Sequence, residues 1–440
     1  MTTFRSRRTG WLGIVILLGA LAVSPALPAT AAEGERRQRD NIFITKETQF
    51  NPANGVVSGT GTKRDPYIIT GWDIGHVEIR DTNSYVEIYD NTIDRLVLDW
   101  IGTGRANVHD NDIGDLRVNQ NRKRTGDPTS GTITRNRFGV VGQLRHFDGV
   151  FSHNVVGDKG ENLWETLLWE QRAVNFDGFN GAVFENNVIY GYMDARLHGH
   201  HHSSGFDQDS HYHGAHADHP EMVDHSQRYH KVTIRNNTIY SSSGYALAYL
   251  DTAHAANDRT AASETNEELN KPHVHHTKVE VTGNKLVGSG FYLNIFNAKD
   301  ERHMATAPGT FVFRNNEITL VKQEMTTTFE WMHGITVERA QDLTLKMVDN
   351  SVIGPKSDDQ LESPVAHWWD PNVGILLRDI DKATLHLYGN QVANRAMGIQ
   401  AQSMTKTVRW IVDGLKTENV EQDVYWDESV KNPPERRGSD

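Results

Sequence analysis

Apolar and polar positions alternate along this chain in short bursts. Nearly every burst closes on an asparagine, followed two residues later by Ile, Val, Leu or Phe. The phrase reads VEIYDNTI at 86–93, ANVHDNDI at 106–113, GTITRNRF at 131–138, GVFSHNVV at 149–156 and AVFENNVI at 182–189. It returns as VTIRNNTI at 232–239, VEVTGNKL at 279–286, FVFRNNEI at 311–318, LKMVDNSV at 345–352 and LHLYGNQV at 385–392, with a weaker last copy, WIVDGL, at 410–415. Alternation over three to five residues describes a short strand with one face inside and one outside. The asparagine follows each strand at a constant offset, where a short polar side chain tolerant of left-handed backbone turns the corner. Units of about 20 to 50 residues, each strand-turn-strand, stack into a solenoid. In such a stack the asparagines align as a ladder whose amides hydrogen-bond between coils.

The spacing of the ladder locates the extra chain. Asn91, Asn111, Asn136 and Asn154 stand about one coil apart, whereas Asn187 to Asn237 and Asn237 to Asn284 are about twice as far. Insertions are therefore expected at 191–231 and 251–277, projecting as loops from one face. Within the second, RTAASETNEELNK has strong helix formers and few β-branched residues, which predicts a short helix. ENLWETLLWEQRAV at 161–174 places apolar residues at helical spacing and predicts another. The chain thus divides into a leader (1–31), an N-terminal cap (32–60), a solenoid (61–426) and a polar, Pro-containing tail (427–440) expected to be disordered.

The repeats resemble those of the right-handed parallel β-helix family, the fold of pectate lyases and related proteins, over roughly 60 to 425. The opening GTGTKRDPYIITGWDI and the following VEIRDTNSYVEIYDN look like the first coils of the carbohydrate-binding and sugar-hydrolase β-helix group. That group also includes a periplasmic accessory protein for copper-site maturation in nitrous oxide reductase. The resemblance implies an all-β, right-handed parallel β-helix solenoid with loop and short helical insertions. It is weak for activity, because a fold does not confer a function.

The leader carries Arg5, Arg7 and Arg8, then the apolar run WLGIVILLGALAV, then Ala29-Thr30-Ala31 as a cleavage signal. This is the layout of a secretory signal peptide, with an apolar core too short to span a bilayer permanently. Ser6-Arg7-Arg8-Thr9-Gly10-Trp11-Leu12 also resembles a twin-arginine export signal, so Sec and twin-arginine export both stand. The mature protein is expected to be secreted or extracytoplasmic with no membrane anchor. Cysteine is absent, which removes disulfides, thiolate metal sites and cysteine nucleophiles. Loss of the three leader arginines takes the formal net charge from −12 to −15. With no basic block, the chain is a poor candidate for nucleic acid or for a purely electrostatic grip on polyanions.

Candidate chemistry concentrates in the first insertion. Ten of the 22 histidines fall between His198 and His230, interleaved with aspartates. His198, His200 and His202 form one group, with His201 between them; His211, His213, His216 and His219 form a second, and His225 trails it. Spacings of two and three residues bring imidazoles to one side of extended or helical backbone. Asp207, Asp209, Asp218, Glu221 and Asp224 supply oxygen ligands or acceptors that orient the rings. A thiolate-free, imidazole-rich set suits a divalent transition metal, Cu or Zn foremost. His273, His275 and His276 repeat the theme in the second insertion. The bland alternative is a hydrophilic loop that binds metal adventitiously. No HExxH motif supports a zinc protease.

A second reading is a polysaccharide lyase or glycoside hydrolase that needs no metal. The same insertion offers Asp207, Asp209, His211, Asp224, Arg228, Tyr229 and His230 as catalytic candidates, with His or Tyr as acid or base and Arg228 neutralising a uronate. Neither a pectate-lyase calcium signature nor the polygalacturonase aspartates are present. Polysaccharide is the expected partner class. Trp368 and Trp369 are candidates for stacking on sugar rings, while Tyr245, Tyr249 and Tyr292 read better as fillers or pins. His109, His153 and His386 lie beside the turns, where surface or ladder roles suit them better than metal ligation. A third reading, a structural or adhesive solenoid, predicts even coils and is opposed by the long insertions.

Overall fold

The computed structural model describes residues 36–102, 105–121, 131–145, 147, 149–159, 172–177, 181–197, 229–241, 245–251, 276–295, 309–321, 333–340, 343–355, 372–432 and 434–437. Every strand pairing in it is parallel, and the strands form two sheets of 13 and 20 members. The chain is an all-β parallel solenoid. Each coil gives one strand to the smaller sheet, turns through the asparagine phrase and runs into the larger sheet. The ten sequence repeats coincide with the smaller-sheet strands and their turns, from Val86–Tyr89 through Thr384–Tyr388.

Alternation decides which side chains enter the core. Ile88, Val108, Ile133, Phe151, Phe184 and Ile234 occupy equivalent positions on successive coils, each in register with the next and each at most 2% exposed. Phe138, Phe151 and Phe184 stack into an aromatic run, with ring centroids 5.8 Å apart at each step. At about 25 cal/mol per Å² of apolar surface, repeating this column on every coil is what makes the stack cohere.

The larger sheet changes shape along the axis. Its first strands, such as Trp72–Arg80 and Thr92–Gly102, are long and unbroken. From the coil of Asn154 onward each is broken into two arms, as in Val188–Tyr190 followed by Tyr192–Leu197, or Glu317–Leu320 followed by Ile335–Glu338. Left-handed glycines stand at several of these breaks, including Gly191 and Gly288. The arms merge again in Gln391–Met404.

The corner is turned one residue earlier than the sequence pattern suggests. The residue before each ladder asparagine adopts left-handed backbone: Asp90, Asp110, Arg135, His153, Asn186, Asn236, Asn315 and Asp349 lie at φ between 53° and 57°, and Gly283 and Gly389 fill the same place. The asparagine itself bonds between coils. Each Oδ1 accepts the backbone N–H of the previous ladder residue, and its Nδ2 donates to the next Oδ1 in nine links from Asn91 to Asn390. All ten ladder residues are at most 4% exposed. Trp72, whose N–H donates to Asn91 Oδ1 at 3.1 Å, holds the first ladder position, and Leu415 in the weak last copy ends the series.

Both ends are closed by local structure. Residues 36–58 complete a first coil: Phe50 and Val56 are buried, Trp72 Nε1 donates to Gly55 O, and Val57 and Ser58 cover the edge of the smaller sheet. Part of the tail expected to be disordered from 427 is instead docked on the last coil, over 427–432 and 434–437. Val430 is buried, Trp410 Nε1 donates to Asn432 O at 2.8 Å, and Glu435–Arg437 pairs with Arg409–Asp413. Composition misled there because one valine and backbone pairing suffice to dock a polar segment on an existing edge. The first insertion is shorter than 191–231, since strands run to Leu197 and resume at Tyr229; the second is likewise bounded by Asp251 and His276. The predicted helix over 161–174 yields its last residues to the strand Arg172–Asp177, where pairing with the next coil overrides propensity. The rest of it, and the helix within 251–277, lie outside the described residues.

Two outcomes test this account. Asn237→Leu strands the buried N–H of Asn187, the carbonyl of Phe184 and two neighbouring amides. It should cost about 3 kcal/mol or more, read as a lowered denaturation midpoint. Separately, the Arg135 guanidinium bonds both oxygens of Asp110 at 2.8 and 2.7 Å and holds that carboxyl below the usual aspartate range. Its contribution is therefore present near neutral pH and lost as pH falls through the lowered value. The stability gap between wild type and Asp110→Asn should close below about pH 4, and stay small because the pair is half exposed.

Candidate functional site

The second arms of the larger sheet form a strip bordered by insertions on both sides. Strands Tyr192–Leu197, Tyr245–Asp251 and Gly290–Ile295 lead out into 198–228, 252–275 and 296–308. On the opposite border, 322–332 and 356–371 lead into Ile335–Glu338 and Val373–Ile380. The two histidine-bearing insertions are neighbours at both anchors. Leu197 pairs with Asp251 where they depart, and Tyr229 pairs with His276 where they return. Adjacent parallel strands stand about 4.8 Å apart, so both insertions spring from one place on the flank.

The sequence candidates divide accordingly. His198, His200, His202, His211, His213, His216, His219 and His225 lie outside the described residues, as do Asp207, Asp209, Asp224, Arg228, Trp368 and Trp369. Tyr229 and His230 open the strand Tyr229–Arg235. Among the described residues no group of three His, Asp or Glu side chains is placed to hold a metal ion. The turn histidines have local partners: His109 lies 2.8 Å from Asp110 and 3.0 Å from Glu87 and stacks on Tyr89, and His386 meets the Tyr388 hydroxyl at 2.8 Å.

The strip itself carries a polar network that the sequence did not reveal. Asn294 and Glu338 are in register on adjacent coils, and Glu338 and Arg378 on the next pair. Asn294 Nδ2 donates to the Tyr292 hydroxyl at 2.6 Å, that hydroxyl donates to Glu338 Oε2 at 2.9 Å, and Arg378 donates to Glu338 Oε1 at 2.8 Å. Both carboxylate oxygens are thereby engaged, as a buried charge requires; Glu338 is only 8% exposed. Thr336, Leu376 and Gln400 continue the outward row, yet all are buried. Two acceptors in the strip, Asn294 Oδ1 and Gln400 Oε1, are buried and receive no hydrogen bond from the described residues. A group with O–H or N–H donors would satisfy them. Tyr292, read from sequence as a filler or pin, is instead the link between amide and carboxylate.

The fold is thus a parallel β-solenoid with an insertion-bordered polar strip. No protein-family model matches the chain, and no curated protein matches it significantly.

The network gives a direct expectation. Arg378→Met removes the cation hydrogen-bonded to the buried Glu338 carboxylate, leaving Arg339 Nε at 3.9 Å, and should cost about 3 kcal/mol in a urea titration. Tyr292→Phe removes one hydrogen bond and should cost about 1 kcal/mol. A cost for Arg378→Met no larger than for Tyr292→Phe would mean the ion pair is not desolvated as described.

Proposed function

We propose that this is an extracytoplasmic β-helix protein of the pectin-lyase-like type that binds a divalent transition metal, Cu or Zn, through its His/Asp-rich insertion, in support of chemistry on a glycan. The observation that carries this reading is the paired anchorage of the two histidine-bearing insertions on adjacent strands. A loop fixed at both ends by consecutive coils of a rigid stack loses less entropy on gathering its ligands than a free tail would. His198, His200, His202, His211, His213, His216, His219 and His225 are the proposed ligand pool, with His273, His275 and His276 within reach of the same flank. Imidazole and carboxylate donors without thiolate suit Zn²⁺ and Cu²⁺.

Elemental analysis of tag-free protein purified from its own compartment tests this. The expected result is stoichiometric metal that falls when His211, His213 and His216 are replaced by Ala. Sub-stoichiometric metal, unchanged by those replacements, would sink it.

The metal-independent lyase or hydrolase remains a second reading, favoured by the Tyr292–Glu338–Arg378 network and the two unsatisfied acceptors beside it. Sugar hydroxyls are donors of the kind those acceptors lack. Acidic glycans incubated with chelator-treated protein should then yield unsaturated, ultraviolet-absorbing products or new reducing ends. Wild-type turnover that survives chelation and drops at least tenfold in Tyr292→Phe would support this reading over the first.

A further inference from the structure

Several charges on the outer surfaces pair across coils: Arg95 with Asp115, Asp110 with Arg135, Glu185 with Arg235 and Glu338 with Arg378. On the outer face of the smaller sheet cations outnumber acids over four consecutive coils, those of Tyr229–Arg235, His276–Thr282, Gly309–Arg314 and Leu343–Val348. Lys231, Arg235, Lys278, Arg314 and Lys346 are exposed there, with Glu280 and, one coil earlier, Glu185 as the acids beside them. Glu185 is taken by Arg235 and Glu280 by Lys278. Among the described residues, Lys231, Arg314 and Lys346 have no ion-pair partner.

Lys231 and Lys278 stand opposite each other in register on adjacent strands. Like charges so placed destabilise a sheet, so this arrangement is not one that packing alone selects. The hydrogen bond from Lys278 holds the Glu280 carboxyl below its ordinary range, with Lys231 and Arg314 adding to the effect. These cations come from positions 231 to 346 of a chain whose net charge is −12. They are neighbours only because coils stack about 4.8 Å apart, which makes a patch roughly 14 Å along the axis and 13 Å across.

We infer that this face of the smaller sheet is a docking surface for an anionic glycan, a chain bearing carboxylate or sulfate groups. The excess cations supply the charge complementarity. Thr233, Thr282, Thr310 and Thr344 alternate with them on the same face and offer hydroxyls to sugar hydroxyls. Among the described side chains on the outer face of these four strands none is an aromatic ring of the kind on which nucleobases stack. The surface lies on the other sheet from the insertion-bordered strip and needs no metal.

The test measures binding of full-length mature protein to polygalacturonate and to heparin in EDTA, across a range of NaCl. Wild type should bind at least one of them, with affinity that falls as salt rises, and should not bind dextran. The triple variant Lys231→Ala, Arg314→Ala, Lys346→Ala should bind roughly tenfold more weakly. The charge-preserving set Lys231→Arg, Arg314→Lys, Lys346→Arg should bind like wild type, and so should Arg95→Ala, Arg117→Ala, Arg137→Ala on the larger sheet. No binding of either polyanion, an unchanged triple variant, a charge-preserving set that loses binding, or equal affinity for duplex DNA or anionic vesicles would each overturn the inference. Because EDTA is present throughout, loss of the metal reading leaves this result untouched.

Discussion

The structure depends on one hydrogen-bonding constraint, which is that a corner buried between stacked coils must leave no amide unsatisfied. Backbone N–H groups at such a corner have no strand to pair with and no water nearby. The ladder asparagine answers both needs with one side chain, its oxygen taking the N–H of the coil before and its nitrogen bonding a carbonyl and the next amide. Because the backbone N–H must meet an oxygen, the orientation of every amide is fixed. Once the corners are fixed, register follows. Each inward position then meets its equivalent on the next coil, and the apolar columns assemble without further instruction.

This division of labour leaves the second half of each coil free to vary. The distance between successive ladder residues ranges from 18 for Asn136–Asn154 to 50 for Asn187–Asn237, yet the hydrogen bonds across those steps are alike at 2.9–3.2 Å. Insertions therefore enter where the chain leaves or rejoins the second arms, and they border the same strip on both sides. The polar network of Asn294, Tyr292, Glu338 and Arg378 sits on paired strands of the larger sheet, at whose ends the insertions depart and return. Rigid strands hold such a network in place better than loops could.

What was legible in the sequence follows from the same physics. The strand-Asn-strand phrase is local, so it names the coils, the buried columns and the two long insertions directly. The left-handed residue carries no signature of its own, because Asp, Asn, Gly, Arg and His all fill that position, whereas the constant letter is the asparagine beside it. The polar network was illegible for a different reason. Asn294, Glu338 and Arg378 lie 10, 22 and 28 residues after their ladder asparagines at 284, 316 and 350, so no common offset marks them as neighbours. The basic face is illegible for the same reason, since its cations are spread over positions 231 to 346 of an acidic chain and meet only through stacking. The histidine-rich insertion was conspicuous from composition, and its path lies outside the described residues.

The amides of the ladder also share a direction. From Asn91 to Asn350 each side-chain amide donates one N–H to the oxygen of the next ladder asparagine, so all nine links run in the same sense. Amide dipoles linked in one sense add along the stack as peptide dipoles do in a helix, here with the positive end toward the C-terminal coils. The solenoid therefore carries an electrical polarity written in side chains, begun at Trp72 and stopped at Leu415, where a residue without an amide breaks the series.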